Sequence, residues 1–228
     1  MNYFAHGLAH LDRPYFLAGT AVPDWLSVVD RRMRVRRRLV EPFREHRDPR
    51  VVAVAGGILQ HLHDDHWFHQ TRAFAELSLQ LTVTIREVLP ADDGFRPSFL
   101  GHILVEILLD ACLIQQDPRR LDAYYAGLES VEPGAVAAAV NQMATASSER
   151  MEEFIRRFIA VRFLYDYLDD EKLLWRLNHV MRRVSLSPLP DEFLTILPEA
   201  RDRIGRQRRQ LLAGFDAQHA HLVIGDLR

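Results

Sequence analysis

The chain has one cysteine, Cys112, and one lysine, Lys172. A single thiol excludes an internal disulfide framework and cysteine-rich zinc modules, so any bound metal must be held by histidine and carboxylate. A surplus of one charge is also missing: 29 Lys and Arg against 31 Asp and Glu leave a formal net charge of −2. That balance argues against a dedicated nucleic-acid binder. No apolar run reaches the roughly 18–20 residues that cross a bilayer, and no membrane span is expected. The opening Met1–His6 has neither the basic start nor the apolar stretch of a signal peptide. The expectation is therefore a cytoplasmic protein. Period-two alternation of β-branched residues is nearly absent, which removes the main signature of strands.

What is present is ordinary globular material. At 228 residues, 48% hydrophobic and 26% charged, the chain can bury a core and is not intrinsically disordered. The expected class is all-α, a multi-helix bundle with a metal site between core helices. Residues 1–228 are expected to form one domain, with 190–228 as an arm packed on the same body beyond the hinge candidate Ser187-Pro188-Leu189-Pro190. Proline and aspartate punctuate the helices. Val22-Pro23 should end the apolar run that begins at Tyr15, and Asp24 should cap a new start. Asp48-Pro49 opens a long helix over about 50–88, with a break near His69. Residues 90–94 read as a loop. Helices are expected over about 97–116, 118–128, 133–141, 148–167, 170–184 and 191–214.

The eleven histidines carry the chemistry. Residues four apart share a helix face, so His61, Asp65 and His69 fall on one stripe, with Asp64 beside it and His63 and His66 pointing away. A second stripe places His102, Glu106 and Asp110 at the same step, and every residue between them is aliphatic. Burying two carboxylates there without a counter-charge costs several kcal/mol each. A bound cation removes that cost, and an arginine partner is the other way to remove it. Beside these stripes, His6 and Asp24 become candidate ligands from further segments. His10 is a candidate ligand or a residue that orients one. The expected metal ligands are thus His6, Asp24, His61, Asp65, His102 and Glu106.

Met1-Asn2-Tyr3-Phe4-Ala5-His6, then Leu17-Ala18-Gly19 leading to Asp24, then Gly57-x-x-x-His61-x-x-x-Asp65-x-x-x-His69, resemble the acyl-carrier-protein phosphodiesterase family across roughly the first half of the chain. The resemblance implies an all-helical fold related to the HD-type metallohydrolases. It also implies a divalent metal, typically manganese, and removal of the phosphopantetheine arm from acyl carrier protein. The segment Leu17-Ala18-Gly19-Thr20-Ala21-Val22-Pro23-Asp24, the His61/Asp65 helix and the His102/Glu106 helix are similar also to the zinc-dependent phospholipase C and S1/P1 nuclease superfamily. That likeness carries ligand roles onto the same six residues.

These features give the expectation of a metal-dependent phosphoric ester hydrolase with two divalent ions (manganese, zinc or iron) that lower the pKa of a bound water and clamp phosphoryl oxygens. Asp64, His69 and Asp110 are the candidates for accepting the proton or orienting a ligand. Arginine's planar fork suits phosphate, so Arg31, Arg34 and Arg38, with His10, are candidate contacts for the phosphate ester or for acyl carrier protein. A solvated basic face reads equally well for the arginines. The competing readings are a zinc phospholipase C-like hydrolase, an HD-type di-iron oxygenase using the adjacent His63-Asp64 pair, and a non-catalytic helical protein with a structural metal.

Overall fold

Proline writes most of the helix starts in this chain. It occupies the first position of α2 (Pro14–Val29), α4 (Pro49–His69), α6 (Pro97–Gln116), α7 (Pro118–Glu129) and α8 (Pro133–Met143), and the second position of α11 (Leu197–Leu211). Its missing N–H is one that a helix start leaves unbonded anyway. The remaining helices are α1 (Tyr3–Gly7), α3 (Arg37–Val40), α5 (Arg72–Val88), α9 (Met151–Val161) and α10 (Asp170–Arg183). Short 3₁₀ turns cover Glu41–Glu45, Phe163–Leu168 and Asp191–Ile196. This computed structural model describes residues 1–89 and 94–214. Of the expected loop, residues 90–93 lie outside the described residues, as do residues 215–228 of the expected C-terminal arm. Among the described residues the only strand-like pairing is an isolated bridge between Val35 and Ala144, and the chain is an all-α protein.

Two compact units make up the chain: residues 1–65 with 113–165, and residues 66–112 with 166–228. The Ser187–Pro190 segment falls inside the second unit.

In the first unit, α1 is only five residues long, too short to hold itself together. Its neighbours hold it. Phe4 is fully buried and lies 5.9 Å from the Tyr124 ring, while Tyr3 lies 5.1 Å from Phe158. Burying each such ring contributes about 1.5–3 kcal/mol, which fixes the short helix and the His6 that it carries. The helices α2 and α4 cross at two glycines. A methyl group on Gly57 would sit 2.1 Å from the Phe16 carbonyl oxygen, and one on Gly19 would sit 2.4 Å from that of Val54. Only glycine at both positions lets the two backbones touch.

The expected stop at Pro23 does not occur. Pro23 lies inside α2, which continues to Val29, so Asp24 is an interior helix residue and not an N-cap. A mid-helix proline costs about 3 kcal/mol or more. Beyond it, however, Trp25 and Leu26 are 0% and 2% exposed, and burying two large apolar side chains contributes a comparable amount. Tertiary packing therefore carries the helix through.

In the second unit, α5 buries Phe74, Leu77, Leu81 and Ile85, while α11 turns Ala200, Ile204 and Leu211 inward. Thr71 caps α5, its hydroxyl accepting from the Phe74 amide at 3.3 Å, directly after α4 ends at His69. Gly101 brings α6 close to α5, since a methyl group there would lie 2.6 Å from the Ser78 carbonyl oxygen. Among the described residues, α6 is the one helix long and apolar enough to cross a membrane by length and composition, and most of that stretch is buried within the fold. It carries His102, Glu106 and Asp110.

Candidate metal centres

Seven of the residues expected to carry chemistry meet in or beside two groups, one in each unit. The first joins His6 of α1 to His61 and Asp65 of α4. The second joins His69, at the end of α4, to His102 and Glu106 of α6. In each group one atom from each of two imidazoles and a carboxylate lies within 4.8 Å of the others. Each could hold a metal ion. The six expected ligands thus divide: His61 and Asp65 meet His6, while His102 and Glu106 meet His69. Asp24 belongs to neither group.

In the first group both imidazoles turn the same ring nitrogen, Nε2, toward Asp65. His61 Nδ1 donates to the Thr20 carbonyl at 2.7 Å, and its Nε2 lies 3.5 Å from Asp65 Oδ2. This contact exists because the Gly19–Gly57 crossing places the α2 backbone against α4. His6 Nε2 lies 3.1 Å from Asp65 Oδ1 and 3.1 Å from the Met1 carbonyl oxygen. Its Nδ1 faces Asp64 Oδ2 at a long 3.4 Å. The Met1 ammonium donates to Asp65 Oδ1 at 2.8 Å.

Burial works to lower the His6 pKa, but the hydrogen bonds to Asp64 and Asp65 outweigh it and raise the value from 6.5 to about 9. In the metal-free state the ring is therefore an imidazolium that donates from both nitrogens. For Asp65 the balance runs the other way. Partial burial pushes its pKa up, and the hydrogen bonds from His6 and His61 hold it well below the usual carboxylate range. The two carboxylates, Asp64 and Asp65, are met here by His6 and the Met1 ammonium.

The second group is more open. His69 Nε2 donates to Glu106 Oε1 at 2.8 Å, and His102 Nε2 lies 3.6 Å from the same oxygen. His102 is 43% exposed and Glu106 17%. Phe74 braces both imidazoles, its ring 4.8 Å from each. The α6 step from His102 to Glu106 supplies two of the donors, and the end of α4 supplies the third.

The other expected residues sit elsewhere. Asp64 is 1% exposed and lies behind His6, where it also accepts from Gln60 Nε2 at 2.6 Å. Asp110 is fully buried on α6, one turn beyond Glu106. His10 is 7% exposed and packs on Phe16 at 4.4 Å. Arg31, Arg34 and Arg38 are exposed around the link from α2 to α3. There the Arg34 backbone pairs with Thr145, and its side chain donates to the Met33 carbonyl. His63 is half-buried and His66 exposed, the latter beside Gln70.

Sequence reasoning missed three participants in the first group: Gln60, the Thr20 carbonyl and the Met1 ammonium. Gln60 was legible, because it stands four residues before Asp64 just as His61 stands before Asp65. The Thr20 carbonyl was not, because a backbone group leaves no trace in residue type. Compared with family models, with curated proteins and with solved structures, the chain finds no match in any of the three.

Proposed function

We propose that this protein is a metal-dependent hydrolase of phosphate esters. The observation that carries the reading is the pair of two-histidine, one-carboxylate groups, His6/His61/Asp65 and His69/His102/Glu106. Three protein donors leave coordination positions for water and substrate, the pattern of catalytic rather than closed structural sites. A divalent cation held there supplies Lewis acidity and lowers the pKa of bound water.

The chain's own residues would do the following. His6, His61 and Asp65 hold one ion, and His69, His102 and Glu106 hold the other. The Thr20 carbonyl keeps His61 in the tautomer that offers Nε2. Arg31, exposed on the link from α2 to α3, and Arg38, exposed within α3, present guanidinium forks suited to phosphate oxygens. Support for phosphate esters in particular comes from the resemblance of residues 1–6 and 57–69 to the acyl-carrier-protein phosphodiesterases, because those same segments build the first group. A phosphopantetheine-bearing carrier protein is the substrate to try first.

A second reading rests on the donor set itself. Two histidines and one carboxylate with open positions also suit non-haem Fe(II), which would make the protein an oxygenase. One experiment separates the two: metal analysis of the purified protein, with hydrolysis of bis-p-nitrophenyl phosphate assayed alongside oxygen consumption. Hydrolysis with manganese or zinc that disappears in Asp65→Ala is the expected result. Iron with oxygen uptake and no hydrolysis would replace the proposal, and Asp65→Ala with full hydrolysis would remove the first group from it.

A further inference from the structure

Two parallel four-residue steps run along α4. His61 and Asp65 form the step that the metal reading uses; Gln60 and Asp64, one residue earlier each, form a second. His6 lies across both. Its Nε2 edge faces Asp65 and its Nδ1 edge faces Asp64, while its ring stacks on His61 with centroids 3.9 Å apart and planes 22° apart. Asp64, in turn, accepts from Gln60 at 2.6 Å. Gln60, Asp64 and His6 are 2%, 1% and 0% exposed.

We infer that Gln60 and Asp64 are positioning residues for the first metal group, a buried relay in which Gln60 fixes the Asp64 carboxylate and Asp64 fixes His6 so that Nε2 is the ligand atom. The inference rests on the metal reading above and gives Asp64 a role that residue type alone leaves open between ligand, base and support. A ligating histidine commonly donates its other ring N–H to a carboxylate, which sets the tautomer and makes the imidazole a stronger donor. The geometry here supplies that carboxylate from the same helix that supplies Asp65.

Charge supports the arrangement. A carboxylate as buried as Asp64 costs several kcal/mol unless a positive partner meets it. The groups that meet it are the Gln60 amide at 2.6 Å and the Nδ1 edge of His6 at 3.4 Å. The relay therefore acts through orientation, holding the His6 ring by its Nδ1 edge. Asp64 does not need to touch the ion, and its burial behind His6 leaves it poorly placed to take a proton from water.

The test uses the full chain with Glu106→Gln as background, so that only the first group reports. Zinc affinity is measured by chelator competition, and Co(II) loaded in place of zinc gives a visible spectrum that reads the ligand field. Asp64→Asn, nearly the same size, should weaken zinc by about 10–100-fold and shift the Co(II) bands, with an unchanged helical circular dichroism signal. Gln60→Leu, which leaves the Asp64 charge in place, should weaken binding less and shift the bands in the same direction. It also carries the test if Asp64→Asn does not fold. Unchanged affinity and spectrum in these variants, with zinc lost in Asp65→Ala, would overturn the relay and leave the metal reading standing. If the Glu106→Gln background itself takes up no zinc or cobalt, the first metal group falls and the relay with it.

Discussion

The imidazole of His6 stacks on that of His61 at 3.9 Å, although the two residues come from opposite ends of a 55-residue separation in sequence. Stacking alone would leave four ring nitrogens free to choose partners. The Thr20 carbonyl takes Nδ1 of His61 and Asp64 faces Nδ1 of His6, so both Nε2 atoms converge on Asp65. The first group is thus arranged without a cation, which would lower the cost of ordering its side chains if one bound.

Because each group draws all its donors from one unit, removing a donor from one should spare the other. His61→Ala is expected to lose the ion of the first group and keep that of the second, and His102→Ala to do the reverse. Metal content measured on both purified variants checks this. Loss of all bound metal in either variant would show that the groups do not load independently.

His6 contributes to the pH response of the metal-free protein. Its folded pKa is raised from 6.5 to about 9, so the stabilisation it contributes is complete below pH 6.5 and is lost as pH rises through 9. Asp65 is shifted downward, so its contribution is present above the carboxylate range, is lost only on acidification, and stays constant in this window. The thermal midpoint of the metal-free wild type should therefore fall between pH 6.5 and 9 more steeply than that of His6→Gln. Parallel curves would show that His6 is not protonated in the fold. An ion on Nε2 displaces a proton, so zinc affinity should climb with pH over the same interval.

The Gly19–Gly57 crossing sets His61, and Gly57→Ala tests it. The added methyl would meet backbone atoms of α2, the Phe16 carbonyl oxygen at 2.1 Å and the Thr20 nitrogen at 2.8 Å, and neither can swing aside as a side chain would. Separation of the helices is expected to cost about 1–3 kcal/mol, read as a lower denaturation midpoint in urea. It should also weaken zinc at the first group by lengthening the Thr20–His61 hydrogen bond. Wild-type stability in Gly57→Ala would mean that the crossing is looser than these distances imply.

The parts of this design that were legible in the sequence are those written in a helical period. The stripes at 61/65 and 102/106 follow from spacing, and the break after His69 from the pattern of its flanks. Pro97 and the Asp117-Pro118 pair set both ends of α6. The parts that were not legible depend on tertiary contacts. Pro23 looked like a stop because its local cost is visible in sequence, whereas the burial of Trp25 that offsets it is not. The expected helix over 148–167 divides at Arg162, which takes a left-handed conformation at φ 47°. Arginine carries no such turn signal, and the chain there is held from outside by the Tyr125 hydroxyl accepting from the Leu164 amide at 3.1 Å. Likewise, nothing in the spacing of His69 assigns it to the α6 pair rather than to Asp65.

Phe74 braces the second group, and its removal should be felt twice. The ring is 5% exposed and lies 4.8 Å from both His69 and His102. Phe74→Ala is expected to cost about 3–5 kcal/mol of stability, as large core truncations do. It should also weaken the ion at the second group, because both imidazoles gain rotational freedom. Phe74→Leu, which keeps much of the volume, should recover most of the stability and less of the affinity. Equal recovery of both would mean that the ring only fills space.

Glu106→Gln separates a catalytic second group from a structural one. The carboxylate accepts from His69 at 2.8 Å and is 17% exposed, so an isosteric amide leaves the packing nearly intact while removing the charge that a cation needs. If the second group takes part in hydrolysis, Glu106→Gln should lose turnover of bis-p-nitrophenyl phosphate by a large factor, with the thermal midpoint of the metal-free protein little changed. If that group only braces the fold, the metal-loaded wild type should melt above the metal-free protein by more than the loaded variant does, and hydrolysis should survive. The catalytic outcome is the one expected. An ion that only braced the fold would gain from a closed shell, whereas His102, at 43% exposure, leaves this group open to water.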